Sequence, residues 1–150
     1  MAIAPLSKYG ASGLTFKEER KARKLARKAE ADDVKAEAKA RDGNRCRWPH
    51  CEFTKGKPPV TENIEAAHIQ QAAGMGGDPK CVRTKRDTLL ALCDLHHRRA
   101  PQNMHNGGLK VEPLTPDGTD GPVSFHRWDS DRHEYFIVAQ EIEPRILGRD

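Results

Sequence analysis

Aromatic side chains are scarce in this 150-residue chain, at two Trp, two Tyr and four Phe, or 5% of residues. Apolar residues of every kind make up only 36%. A small domain with so little to bury is ordinarily closed by a metal or a disulfide staple. No apolar run approaches the roughly 20 residues of a membrane span. The N-terminus also lacks the apolar stretch of a secretory signal, so a soluble, cytoplasmic protein with no membrane partner is expected. Cysteine is sparse too. Without a signal, the four Cys read better as thiolate ligands for a metal than as a disulfide framework. Internal repeats and low-complexity tracts are absent, apart from one charged stretch.

What the chain has is charge, unevenly spread. The formal net charge is +4. Residues 1–45 hold 12 Lys/Arg against 7 Asp/Glu, residues 46–99 hold 9 against 6, and residues 100–150 hold 5 against 9. The first two-thirds suits a polyanionic partner and the last third does not.

Residues 1–14 are small, polar and Gly-punctuated, and read as a flexible tail. A basic helical arm is expected over 15–43, opened by a Thr15–Glu18 capping box and stopped at Asp42-Gly43. A second helical start is expected near Asp32-Asp33. The apolar stripe of the arm is mostly Ala and buries little area. Arg20, Lys21, Arg23, Lys24, Arg27 and Lys28 crowd its first half. They read either as a solvated face or as an arm that tracks phosphates. A core follows over 44–105, with a strand in Thr61–Ile69, a glycine loop over 74–80, the apolar run Thr88–Leu92 and a helix opening at Asp94. Residues 106–150 read as a β extension, with strands in Leu109–Leu114, Val123–Trp128 and Glu134–Glu141.

Three of the Cys fall into a metal-ligand pattern. Cys46 and Cys51 bracket a tight loop, and Cys93 lies three residues before His96. Zinc takes four N/S ligands tetrahedrally, and ligand pairs on short loops reach it without strain. Cys46, Cys51, Cys93 and His96 therefore make a candidate structural Zn²⁺ site, and the zinc would supply the missing staple. His50 could stand in for a Cys, and Cys81 has no sequence partner and reads as a free thiol.

The segments CRWPHC (46–51), EAAHI (65–69), RDTLLALC (86–93) and CDLHH (93–97) together strongly resemble the HNH endonuclease family, over about 50 residues from Arg45 to Arg99. The resemblance implies a ββα-metal core and metal-dependent hydrolysis of DNA phosphodiester bonds. Under it, His68 is the general base that activates water. His97 holds one divalent ion, Mg²⁺ or Mn²⁺, against the scissile phosphate. Small stand-alone relatives of this kind imply a place in phage DNA processing.

Two positions depart from the family pattern. Asp87-Thr88 stands where the family usually has Asn, so either residue could orient the base. Ala67 stands where a metal-binding Asp is common. His105 is the leading replacement ligand, and Glu65, on the same strand face as Ala67, is the next. Arg83, Lys85, Arg86, Arg98 and Arg99 flank these histidines and could track a duplex backbone with the arm. Trp48 and Trp128 read as core residues, and His126 and His133 as surface or packing residues. The expected architecture is α+β: a zinc-stapled ββα core, a basic N-terminal helical arm, and a C-terminal hairpin or small antiparallel sheet. The competing reading is a zinc-binding module that binds nucleic acid or protein without catalysis, and an RNA-directed nuclease is a third.

Overall fold

The structure is a computed structural model that describes residues 13–49, 61–69 and 84–142. Its first element is helix α1, Phe16–Arg41. The capping box forms as the sequence implies: the Glu18 amide donates to the Thr15 hydroxyl, and the Thr15 amide donates to the Glu18 carboxylate at 2.8 Å. The expected second start at Asp32-Asp33 is not there. The helix runs unbroken through both residues because no Gly or Pro interrupts it, and Asp32 instead pairs with Lys35 one turn on, at 3.8 Å. The end is a Schellman arrangement. Asn44 donates to Lys39 at 2.8 Å and Gly43 to Ala40 at 2.9 Å, with Gly43 at φ +72°, where a side chain would be strained.

Only the second half of α1 is packed. Ala31 and Ala38 are buried, whereas residues 16–30 are exposed throughout except for half-buried Glu19. That free half is about 22 Å long at 1.5 Å per residue.

Strands β1 (Ile64–His68) and β2 (Leu89–Cys93) pair antiparallel, with Ile64 opposite Cys93 and His68 opposite Leu89. Every residue of β2 is buried, as a continuous apolar run covered on both faces should be. α1 packs against both strands. Beyond β2, residues Leu95–Arg99 make one π-helical turn, closed by the Ala100 amide on the Leu95 carbonyl at 2.9 Å. The expected helix is therefore a single turn, and Pro101 ends it.

The C-terminal part is a three-stranded antiparallel sheet in the order β3 (Leu109–Pro113), β4 (Val123–Asp129), β5 (Glu134–Gln140). A bulge interrupts the β4–β5 register between Phe125 and His126. One core joins the two sheets. Leu90 and Leu92 of β2 meet Val111, Val123 and Phe125 of the C-terminal sheet, with Trp48 among them. The architecture is thus α+β, one helix with two small antiparallel sheets.

Trp48 packs the core as expected, 2% exposed, but Trp128 does not. It stands half-buried on the outer face of the C-terminal sheet, edge-on to Tyr135 at 5.1 Å between ring centroids. The alternation of β4 decides this, because Val123 and Phe125 point inward and Ser124, His126 and Trp128 share the other face.

Candidate metal centre

Cys46, Cys93 and His96 come together in the core, all buried, with their ligand atoms within 4.8 Å of one another. Each arrives by a different route. Cys93 ends β2, and His96 follows on the π-helical turn. Cys46 leaves the end of α1 on a segment tied to β2 by the Arg47 amide, which donates to Ala91 at 2.9 Å. His96 turns Nδ1 toward both sulfurs, 3.2 Å from Cys46 Sγ and 3.3 Å from Cys93 Sγ. Tetrahedral bonds of about 2.3 Å to sulfur and 2.0 Å to nitrogen would set such atoms about 3.5 Å apart. The trio is close to that spacing and could hold a metal ion. Trp48 stacks on the His96 ring at 5.5 Å and meets Phe125 edge-on at 5.2 Å, fixing the imidazole against the C-terminal sheet.

The cluster favours a thiolate. The Cys46 thiol, hydrogen-bonded to Cys93 and buried, is pushed up, while that hydrogen bond and His96 push Cys93 down to about 4. Thiolate is the form a metal needs. Cys51, the expected fourth ligand, lies outside the described residues, as do His50, Cys81, Arg83 and the glycine loop.

A second group sits beside the first. Successive residues of the turn face different ways, so His97 leaves the cysteine cluster and meets Glu65 through Nδ1. The Glu65 carboxylate also binds Arg98, and His105 stands edge-on to His97 with ring centroids 4.9 Å apart. Burial, helped by the nearby His105 and Arg98 charges, holds the His97 pKa below its ordinary value despite Glu65. Burial would raise the Glu65 carboxyl, yet Arg98 and His97 together hold it low. A neutral His97 facing a carboxylate carries its proton on Nδ1 and keeps the Nε2 lone pair. Among the described residues, Cys46, Cys93 and His96 are the one set of three ligand atoms this close together. Glu65, His97 and His105 are neighbours, not an assembled cage.

His68 stands three residues beyond Glu65 on β1, about 10 Å along the strand and on its opposite face. Its Nε2 lies 3.2 Å from Thr84 Oγ1. The hydroxyl of Thr88 donates to the Lys85 carbonyl at 2.9 Å. Asp87 lines an open cleft of about 830 Å³ with Glu37, Asp117 and Asp120. Thr84, between Arg83 and Lys85, is the contact with no signal in the sequence, because nothing in a lone Thr marks it.

The flanking basic residues divide. Arg86 is held by both carboxylate oxygens of Asp120, Arg98 by Glu65 and Arg99 by Asp94, while Lys85 is exposed. On α1, at about 100° per residue, Arg20, Lys21, Lys24, Arg27 and Lys28 fall within an arc of about 120°. That arc contains the directions of Ala31 and Ala38, which face the body. Arg23 lies at its margin.

The structure also holds a charged network that motif reading passed over. Arg47, hidden inside the CRWPHC segment, is 2% exposed and bonds Asp42 at 3.3 Å, the Thr119 carbonyl at 2.6 Å and Glu141 at 2.7 Å. Asp42, 1% exposed, accepts from the Ala91 amide at 2.9 Å, and Arg41 reaches Asp120 at 2.8 Å. Together they lock the end of α1 and the first ligand segment onto β2 and the 118–121 turn.

Compared with known proteins, the chain matches no family model, no curated sequence and no solved structure. No helix among the described residues is long and apolar enough to cross a membrane.

Proposed function

We propose that this protein is a metal-dependent DNA endonuclease of the HNH type, built on a ββα-metal core that a structural zinc closes. The observation that carries the reading is the division of labour between adjacent histidines. His96 is buried against two cysteines, and its neighbour His97 meets Glu65 and His105 outside that cluster. Two soft thiolates with an imidazole suit zinc better than a hard cation, with Cys51 as the expected fourth ligand.

For the reacting ion, His97 Nε2 and His105 are the proposed ligands. Glu65 then acts as a positioning residue that fixes the His97 tautomer, while His105 replaces the ligand missing at Ala67. An imidazole pair suits Mn²⁺ better than Mg²⁺. When bound, such an ion would stabilise charge on the phosphoryl oxygens and the leaving 3′-oxygen. His68 is the proposed general base, since an imidazole can take a proton from water near neutral pH. Thr84, which faces its Nε2, is proposed as its orienting partner, ahead of Asp87 or Thr88. The basic arc of α1 faces the same way as the docked half of the helix, which supports a duplex held between arm and body.

Plasmid nicking with Mg²⁺, Mn²⁺ or EDTA tests the reading. Wild-type protein should nick DNA with Mn²⁺ and not in EDTA. His68→Ala and His97→Ala should each lose at least the roughly 10²-fold that a positioned acid–base group supplies. Absence of cutting with every metal, or equal cutting by wild type and His68→Ala, overturns it. One observation favours the non-catalytic alternative: Glu65 is already neutralised by Arg98. A protein that binds DNA and zinc but never cuts would identify that alternative.

A further inference from the structure

We propose that the pocket beside Trp128 is a stacking site for an unpaired nucleobase, so that the preferred substrate is DNA with an unpaired nucleotide next to the cleavage point. The choice of nucleic acid rests on the nuclease reading, whereas the stacking is measured without cutting. An open pocket of about 440 Å³ lies where the loop before β3 meets the outer face of the C-terminal sheet. Trp128 and Tyr135 wall it on the sheet side, and Gln102, Asn106, Gly107 and Gly108 on the loop side. Tyr135 and His133 both meet Trp128 edge-on, with ring planes 69° and 63° from its own, and among the described residues no ring lies flat on it. Trp48, in contrast, has His96 stacked on its face. A half-buried Trp with an unstacked face is the kind of platform on which single strands seat their bases.

The loop is fixed against the sheet. A Cβ on Gly108 would come within 2.8 Å of Gln102, so the chain packs closely there without a side chain. The Trp128 amide donates to the Gly108 carbonyl at 2.9 Å, and the Tyr135 hydroxyl donates to the Gly107 carbonyl at 2.5 Å. Asn106 engages both ends of its amide, donating to the Pro101 carbonyl at 2.6 Å and accepting from the Asn103 and Gly108 amides. Gln102 donates to the Trp128 carbonyl at 3.0 Å. Polar groups committed to the protein's own backbone suit a ligand held by its flat face, not a sugar that needs several hydrogen bonds. Such a stack tolerates any sequence, because every base has a π-face. His105, a proposed ligand of the reacting ion, directly precedes Asn106, and its amide donates to the His97 carbonyl at 3.2 Å. One loop thus carries both the candidate centre and the pocket. In the turn beside the rings Asp129, Asp131 and Glu134 outnumber Arg132, so this corner suits the uncharged base and leaves the phosphates to the His97–His105 side.

Anisotropy of two dye-labelled strands, a thymidine oligonucleotide and an abasic strand of the same length, tests this in buffer without added divalent ions. Wild type should hold the thymidine strand at least about fivefold more tightly than the abasic one. Trp128→Ala, checked for native circular dichroism, should lose roughly 5- to 150-fold on the thymidine strand and keep its affinity for the abasic one. Trp128→Phe retains a ring and should stay within about threefold of wild type. Equal binding of both strands by wild type, or an alanine variant that holds the thymidine strand like wild type, would overturn the proposal. The wild-type comparison needs no variant, so it decides even where Trp128→Ala does not fold. A proline-rich peptide that binds where neither strand does would overturn it in favour of a peptide groove. A chain that prefers the thymidine strand yet never nicks plasmid keeps the stacking site and loses the nuclease reading. One that nicks plasmid but holds both strands equally does the reverse.

Discussion

Cys46 Sγ lies 3.2 Å from His96 Nδ1 across fifty residues of sequence. That contact closes the segment leaving α1 onto the turn after β2, within the core that Trp48, Leu92 and Phe125 share. About one metal ion per chain is expected by elemental analysis of protein purified without chelator. Cys93→Ser should lose most of that metal and unfold at a lower temperature. Full occupancy in the Ser variant would mean that the ion sits elsewhere.

The buried pair of Arg47 and Asp42 should be costly to break. Removing one partner strands a charge in a region that excludes water, at about 3–5 kcal/mol. Asp42→Ala should therefore shift the urea midpoint strongly, and so should Arg47→Ala. A double variant should cost less than the sum of the two, because the groups share one interaction. Strict additivity in the double-mutant cycle would show that the two side chains act separately.

Gly118 sits at φ +62°, and a Cβ there would overlap the Asp87 carbonyl oxygen. Gly118→Ala pays for both backbone strain and the clash, and should destabilise by at least about 1 kcal/mol. Gly107, at φ +77° with its nearest neighbour 3.6 Å from such a Cβ, has only the strain, so Gly107→Ala should be milder. Thermal melts of the two variants rank them directly, and the reverse order would contradict the close packing of the 118–121 turn on Asp87.

Acid should weaken the same turn. Burial would raise the Asp120 carboxyl, but Arg86 and Arg41 overcome it and hold the pKa below 3.8. A carboxyl depressed on folding stabilises the protein above its unfolded pKa, and that contribution fades as pH falls through the lower folded value. Asp120→Asn should therefore be less stable than wild type at neutral pH, and the gap should narrow below about pH 4. Denaturant midpoints for both proteins at several pH values give the difference, and a gap unchanged down to pH 2 would exclude the linkage.

The arm offers a test by charge. Lys24→Glu with Lys28→Glu removes two cations from the arc shared with Ala31 and Ala38. Affinity for duplex DNA should fall, and the slope of log K against log salt should flatten by about two to four contacts' worth at 0.9 per phosphate. An unchanged slope would leave the arm as a solvated helix.

Much was readable from residue order alone, because the signals are local. The Thr15–Glu18 box and Gly43 mark both ends of α1 within a few residues of the bonds they make. The apolar run before Cys93 becomes a strand buried on both sides. The spacing of Cys93 and His96 brings two ligands within one turn. Where local signals compete, tertiary context decides between them. Asp32-Asp33 has the residue types of a cap, but a cap needs the preceding helix to stop, and nothing stops it there.

Chain order thus determined the helix ends, the strand positions and the pairing of ligand types, since each depends on neighbours a few residues apart. Only the tertiary structure decided which way each side chain faces. It turned His96 inward and His97 toward Glu65, placed Trp48 in the core and Trp128 outside it, and buried Arg47 against Asp42 and Glu141. Asp42 apart, the partners behind those choices lie thirty to a hundred residues away, and the scarcity of apolar residues that marks this chain leaves the Cys/His cluster and the buried charges to help hold them.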